Sequence, residues 1–321
     1  MVMLEVQAQQ HDIELQDRDL ALLHGLFESR LMTLKHVAAL CFHSSQEAAK
    51  KRVQKLKRAG LVGERSRRPF EPSILFLTSK GFDTLSIQGA LSGYPNLTWA
   101  AFERRAQVSE LTLKHELDIL EVKTAITLAI HQRPNFNLVE FSTWPALFEF
   151  DSAPGPYEPP RTVKPDGFIR IQEEQSPGSF QEFDFFLEVD RSTEVLERLA
   201  TQACCYRQYY RNGGLAKRLG KTGPVPFRVL MVFQNAERRN NVADTLLRLA
   251  PPIMEQVCLA TLGDLRSNAL GDIWIRPADY RAVTQNTAFD SEHAPSWPYR
   301  RRPVREELVE KSINKLPLLA S

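Results

Sequence analysis

Cysteine is scarce in this chain, with Cys41, Cys204, Cys205 and Cys258 the only four in 321 residues. None forms a C-x-x-C pair, so the common zinc-site spacings are missing, and three of the four fall in apolar surroundings. Buried thiols in a reducing cytoplasm are the expected state. No apolar run approaches the ~20 residues that cross a bilayer, so no membrane partner is expected. The opening Met1-Val-Met-Leu-Glu-Val-Gln7 lacks the charged-then-apolar pattern of an export signal. The expected location is therefore cytoplasmic. Net charge is only +2 and by itself assigns no partner. The rest is an ordinary globular mix, long enough for roughly one to three domains with a substantial core.

The charge is unevenly spread. Residues 41–70 hold nine Lys and Arg (Lys50, Lys51, Arg52, Lys55, Lys57, Arg58, Arg65, Arg67, Arg68) against Glu47 and Glu64, a local excess of +7. Such a block attracts polyanions even in a near-neutral chain. Around it the pattern predicts a winged helix-turn-helix over residues 1–90. Asp17 is placed to cap a first helix with Leu20, Leu23 and Phe27 on one face. Thr33 caps a second short helix, and Ser44 or Ser45 a third that stops at Gly60. On the third, Ala49, Val53 and Leu56 form an inward stripe. Lys51, Lys55 and Arg58 form another, flanked by Lys50 and Lys57, the arrangement of a recognition helix. Leu61-Val62 and Ile74–Leu77 predict a hairpin whose tip carries Arg65, Arg67 and Arg68, and Thr78 caps a further helix. Lysine and arginine at these places neutralise phosphates. Ser45, Gln46 and Lys50, in the first turns of the third helix, are the candidates for base edges. Double-stranded DNA is the expected partner.

Residues 91–108 read as a linker with some local order, and residues 109–278 as an α/β domain. Ser109 opens a long helix to about His131 with a broad apolar face, on which His115 reads as a core histidine. Leu138–Trp144 reads as a strand, residues 151–161 as loop, and Thr162–Gln172 as a strand containing Pro165-Asp166. Ser176-Pro-Gly-Ser179 marks a turn. Glu182–Asp190 is a strand ending in carboxylates, with Glu188 and Asp190 two apart and so on one face. A helix capped by Ser192 or Thr193 follows, with Leu196, Leu199, Ala203, Tyr206 and Tyr210 as its apolar spacing. Phe227–Phe233 reads as a central buried strand, Glu237–Leu249 as a helix, and Val257–Thr261 and Asp272–Ile275 as closing strands. The order predicts a mixed sheet with helices on both faces. From Pro277 regularity fades, and residues 279–321 are expected as an irregular tail with a basic knot, Arg300–Arg305.

Asp166, Glu188 and Asp190 on neighbouring strand ends form a candidate site for a hard divalent cation, Mg2+ or Mn2+, with Glu116 and Asp118 of the long helix able to approach. A helix, Pro-Asp on one strand, Glu-x-Asp on the next, then a helix resembles the PD-(D/E)xK nuclease fold. Together with the N-terminal module, the chain resembles the replication-relaxation family of plasmid and mobile-element proteins. The residues carrying this are His115 with Leu117, Lys164-Pro-Asp-Gly167, Phe186–Glu194, Tyr206 and Tyr210, within a span of roughly residues 15–275. The resemblance implies a restriction-endonuclease-like domain and a role in replication, relaxation or transfer of a mobile element, alongside replication or mobilisation proteins.

Where a working nuclease of that fold has a lysine two residues past the glutamate, this chain has Asp190. A cation there stabilises developing negative charge, whereas a carboxylate adds repulsion. Lys164 and Arg191 are the nearest positive replacements, and the following helix offers Gln202 rather than a lysine. Three functions stay open: a DNA-binding protein of a mobile element, in which no metal is needed; a metal-dependent endonuclease using Asp166, Glu188, Asp190, Glu116 and Lys164; and a repressor or scaffold with a degenerate nuclease fold. A homodimer would suit paired half-sites, although no coiled coil enforces one.

Overall fold

Local side-chain chemistry sets most helix starts in the computed structural model, which describes residues 13–143, 148–192, 194–289, 310 and 312–319. Trp144, Thr193 and Arg300–Arg305, to which the sequence assigns roles, lie outside those residues. The chain divides into two units, Met1–Leu120 and Glu121–Ser321, with the division inside one long helix.

The first unit begins with α1 (Asp17–Ser29), β1 (Leu31–Thr33) and α2 (Leu34–Cys41). The cap of α1 is Gln16, not Asp17: the Asp19 carboxylate accepts from the Gln16 N–H at 2.8 Å, a capping box that reaches back across the first turn. Thr33 caps α2 as expected, accepting from the His36 N–H at 3.3 Å. Ser45 caps α3 (Gln46–Arg58), and Ala49, Val53 and Leu56 are its buried residues. Burying such aliphatic side chains contributes about 1.5–3 kcal/mol each for the larger ones. Gly60, at φ +74°, ends the helix, and the Leu61 N–H returns to the Leu56 carbonyl at 3.0 Å. This left-handed turn is one a glycine adopts without strain.

The antiparallel hairpin β2 (Val62–Glu64) and β3 (Ile74–Leu77) completes a three-stranded sheet ordered β1-β3-β2. Thr78 caps α4 (Ser79–Ile87), where a Cβ on Gly81 would stand 2.3 Å from the Leu61 carbonyl oxygen. That close approach holds α4 against the hairpin. Residues 91–108 contain α5 (Trp99–Ala106), and Phe102 is fully buried, stacked on Phe27 with ring centroids 5.4 Å apart. The long helix α6 (Glu110–His131) follows, with Ser109 accepting from the Thr112 N–H at 3.2 Å.

In the second unit come β4 (Phe136–Ser142), β5 (Phe150–Ser152), β6 (Arg161–Val163), β7 (Gly167–Ser176) and β8 (Ser179–Asp190). Then follow α7 (Leu196–Arg211), α8 (Gly214–Arg218), β9 (Phe227–Phe233), α9 (Ala236–Leu247), β10 (Val257–Thr261), α10 (Leu262–Asn268) and α11 (Pro277–Phe289). The five-stranded sheet is ordered β10-β9-β8-β7-β4. β4, β7 and β8 pair antiparallel, whereas β8, β9 and β10 run parallel, so the sheet is mixed and flanked by helices. The expected α/β class is therefore present. β9 is buried along nearly its whole length, as its apolar run requires for a strand with a partner on each side. Phe150, Phe168, Phe186, Tyr206, Tyr209 and Phe227 build an aromatic core between the sheet and α7.

Five local expectations are corrected. Thr162–Gln172 is not one strand: β6 pairs with β5 in a separate ladder, and β7 starts only after Asp166. α7 is capped by Val195, because Ser192 takes φ +62° and its N–H turns back to Asp190 at 3.1 Å. Tyr210 is 44 % exposed, and Tyr209 packs inward in its place. Where regularity was expected to fade, Asp279 accepts from the Arg276 N–H at 3.0 Å and opens α11. Asp272–Ile275 makes only isolated bridges, Ile275 to Leu259 and Trp274 to Leu316.

Candidate functional site

The basic surface is set by what holds α3 still. Asp19 is fully buried, and its Oδ1 accepts from Arg52 Nε at 2.7 Å, while Arg52 Nη2 also reaches the Glu14 carbonyl at 2.9 Å. This pair ties α3 to α1 and removes Arg52 from the outer surface. The opposite face of α3 presents Lys50, Lys51, Lys55 and Arg58, all exposed. Lys51 Nζ lies 3.4 Å from Glu47, an exposed pair that water screens. Among the described residues, Lys50, Lys55 and Arg58 have no hydrogen-bond or ion-pair partner. Ser45 and Gln46 are exposed at the start of the same helix.

The other cations are arranged differently. Lys57 turns to Glu64 on β2, and Arg67 Nε reaches the same carboxylate at 3.1 Å. The Lys57 hydrogen bond, with help from Ser73 and Arg67, holds the Glu64 carboxyl down at about 2. Arg65 donates to the Val108 carbonyl and to Glu110, both at 3.1 Å. Arg67 and Arg68 stay exposed towards the hairpin tip. Sequence spacing thus placed the α3 stripe together, whereas Lys57 and Arg65 sit in ion pairs inside the unit.

The acidic site in the second unit is built by strand register. Gly167 pairs with Leu187, so the preceding Asp166 comes level with the end of β8. The Asp166 N–H donates to the Leu187 carbonyl at 2.9 Å, and Asp166 Oδ2 accepts from the Val189 N–H at 2.7 Å. Glu188 between them is 8 % exposed and points to α7, where it accepts from the Tyr206 hydroxyl and from Gln202 Nε2 at 2.6 Å. Burial, then the neighbouring Asp166 charge, push the Glu188 carboxyl well above the usual carboxylate range. Burial and the Glu188 charge also raise the Tyr206 phenol.

Asp190, two residues on, takes a different partner. Its Oδ2 accepts from Arg238 Nε at 2.6 Å, and Arg238 also donates to the Glu194 carbonyl. Lys164 Nζ lies 3.3 Å from Glu149, both well exposed. Glu116 belongs to the first unit, where it lies 3.3 Å from Arg30. His115 is half-buried. The geometry therefore joins Asp166 with Glu188 and commits Asp190 to an arginine. Among the described residues no group of three or more His, Cys, Asp and Glu side chains is placed to hold a metal ion. Also among them, no helix is long and apolar enough to cross a membrane.

Sequence reasoning missed Arg238, which lies 48 residues beyond Asp190. Tyr206 is legible in the sequence as part of the helix's apolar spacing and of a motif, and Gln202 as the place of a missing lysine, but neither as a partner of Glu188. The available signal was their spacing of four on the helix after the carboxylate strand, which puts both over one strand position.

No curated protein and no solved structure matches this chain. The family model described as replication-relaxation matches residues 23–225, from α1 through the acidic strand and α7. That span exceeds half of the 321 residues, and the chain belongs to the replication-relaxation family.

Proposed function

We propose that the chain binds duplex DNA in the replication, relaxation or transfer of a plasmid or other mobile element, alongside replication or mobilisation proteins. The DNA contact is a winged helix-turn-helix made of α1 to α4 and the β2–β3 hairpin. One observation carries the reading: Lys50, Lys51, Lys55 and Arg58 form an exposed row on a helix whose other face is packed and pinned by the Arg52–Asp19 pair. A helix already held in place presents its cations to phosphates without having to order its backbone on binding, and its first turn brings Ser45, Gln46 and Lys50 to base edges. Family membership supports the same direction. The test is fluorescence anisotropy on a labelled duplex. Lys51→Ala/Lys55→Ala/Arg58→Ala should bind clearly more weakly than the unaltered chain at equal fold stability. Equal affinity would overturn the assignment.

A second reading rests on the Asp166–Glu188 pair. Helix, three antiparallel strands, helix and a parallel fourth strand, with the acids where β7 starts and β8 ends, support a restriction-endonuclease-like domain over residues 109–278. Mg2+ or Mn2+ commonly uses one or two carboxylates with water, which Asp166 and Glu188 match. Asp190 does not fit as a third ligand, since Arg238 and the Ser192 N–H occupy its oxygens. Bound there, the ion would supply Lewis-acid charge towards a phosphodiester. Glu188 would orient through Tyr206 and Gln202, and Arg238 would neutralise the carboxylate at the usual lysine position. Incubation with supercoiled plasmid and either metal tests this. Nicking lost in Asp166→Ala and in Glu188→Ala supports an enzyme, and absence of nicking leaves DNA binding as the function.

A further inference from the structure

The tip of the β2–β3 hairpin carries a feature that phosphate contacts do not use. Arg68, Pro69, Phe70 and Glu71 form a turn closed by the Glu71 N–H donating to the Arg68 carbonyl at 3.2 Å. Phe70, the third residue, has φ +72°. Turns with proline second and a positive φ third ordinarily place glycine or asparagine there. Here a phenylalanine takes that backbone conformation, and its side chain is fully exposed at 102 %. Nothing in the fold compensates: the ring buries no area and makes no ring contact among the described residues. The turn is nevertheless braced, with Arg67 Nη1 on the Glu71 carbonyl at 2.9 Å and the Arg68 N–H on Glu71 Oε2 at 2.9 Å. Arg67 and Arg68 both precede the ring and are exposed; Arg67 is held by Glu64 and the Glu71 carbonyl, whereas the Arg68 guanidinium has no partner among the described residues.

An exposed apolar ring next to an exposed arginine on a braced tip has the chemistry of a minor-groove wedge. The arginine meets the negative potential of the groove, and the ring enters between two base pairs. We infer that Phe70 inserts into a base step of duplex DNA and unstacks it while Arg68 holds the adjoining backbone. This rests on the duplex-binding reading and adds a bend or unwinding of the DNA to it. A protein that locally opens the stack this way changes the twist of a closed circle on binding.

The experiment uses the full chain, a relaxed closed-circular plasmid and a type I topoisomerase, so no target sequence is needed. Occupancy is matched by a filter-binding titration at low salt. The unaltered chain and Phe70→Trp should shift the topoisomer distribution. Phe70→Ala and Phe70→Gly should not shift it at equal occupancy, and should bind about tenfold more weakly, which is about 1.4 kcal/mol. Because Phe70 is fully exposed, neither variant threatens the core, and Phe70→Gly suits the positive φ. A shift equal to that of the unaltered chain in Phe70→Gly overturns the wedge. So does binding that depends on Lys51, Lys55 and Arg58 yet leaves linking number unchanged, and there the winged-helix reading survives. Failure of the unaltered chain to bind plasmid removes both.

Discussion

Arg238→Ala is the most informative single change in the second unit. Arg238 is 15 % exposed and Asp190 3 % exposed at the side chain, so the pair is largely shielded from water. The guanidinium also holds the Glu194 carbonyl, joining the end of β8 and the approach to α7 with α9. Removing it strands a buried carboxylate without its cation. Breaking a buried pair from one side costs about 3–5 kcal/mol. For a unit running from Glu121 to Ser321, each kcal/mol moves Tm by roughly 2–4 °C, so a fall of roughly 6–20 °C is expected. Asp190→Asn/Arg238→Ala removes the stranded charge and should recover roughly 2 kcal/mol of the loss, the desolvation share. Urea unfolding of the single and double variants measures both. A single-variant loss below about 1 kcal/mol, or a double variant no more stable than Arg238→Ala, would refute the claim that Arg238 neutralises a buried Asp190.

Two further outcomes follow from the carboxyls. Glu188 is held above its usual range by burial and by Asp166, so the folded protein keeps a proton that the unfolded chain releases. Its stabilising share is complete below the ordinary carboxylate range and is lost as pH rises towards the raised value. Glu188→Gln, which retains an acceptor for Tyr206, should raise Tm at neutral pH and flatten the pH profile; a lower Tm with an unchanged profile contradicts this. Glu64 has the opposite sign: held at about 2 by Lys57, Ser73 and Arg67, it adds stability above the ordinary range that disappears as pH falls towards that value. In Glu64→Gln, amide exchange across β2 and β3 should accelerate about tenfold at neutral pH, the loss of one charge-assisted hydrogen bond. Unaltered exchange would show that the hairpin stands without this hub.

The parts legible in the sequence were those fixed by nearby residues. Thr33, Ser45 and Thr78 cap their helices through oxygens three residues from the N–H they accept, and Gly60 ends α3 by its own conformational freedom. The long apolar run of β9 announced a strand with neighbours on both sides. Gln16 was hidden because the carboxylate beside it, Asp17, is the commoner cap, whereas the bond comes from Asp19. Val195 carries no side-chain cap at all, so no residue type marked the start of α7. The Arg52–Asp19 and Arg238–Asp190 pairs are 33 and 48 residues apart, beyond any local pattern. Asp166 and Glu188 were found as chemistry, but their meeting depends on the β7–β8 register, which hydrophobic alternation does not number.

The proposed grip of α3 and its neighbouring hairpin on the phosphates of a duplex is set by charge, and salt tests it. Its most direct measurement is the slope of log binding constant against log salt for the full chain and for Lys51→Ala/Lys55→Ala/Arg58→Ala. Each lost phosphate contact lowers the slope by about 0.9, so the variant should be shallower by about 2.7. A variant slope indistinguishable from that of the unaltered chain would place the DNA elsewhere on the protein and overturn the proposed contact.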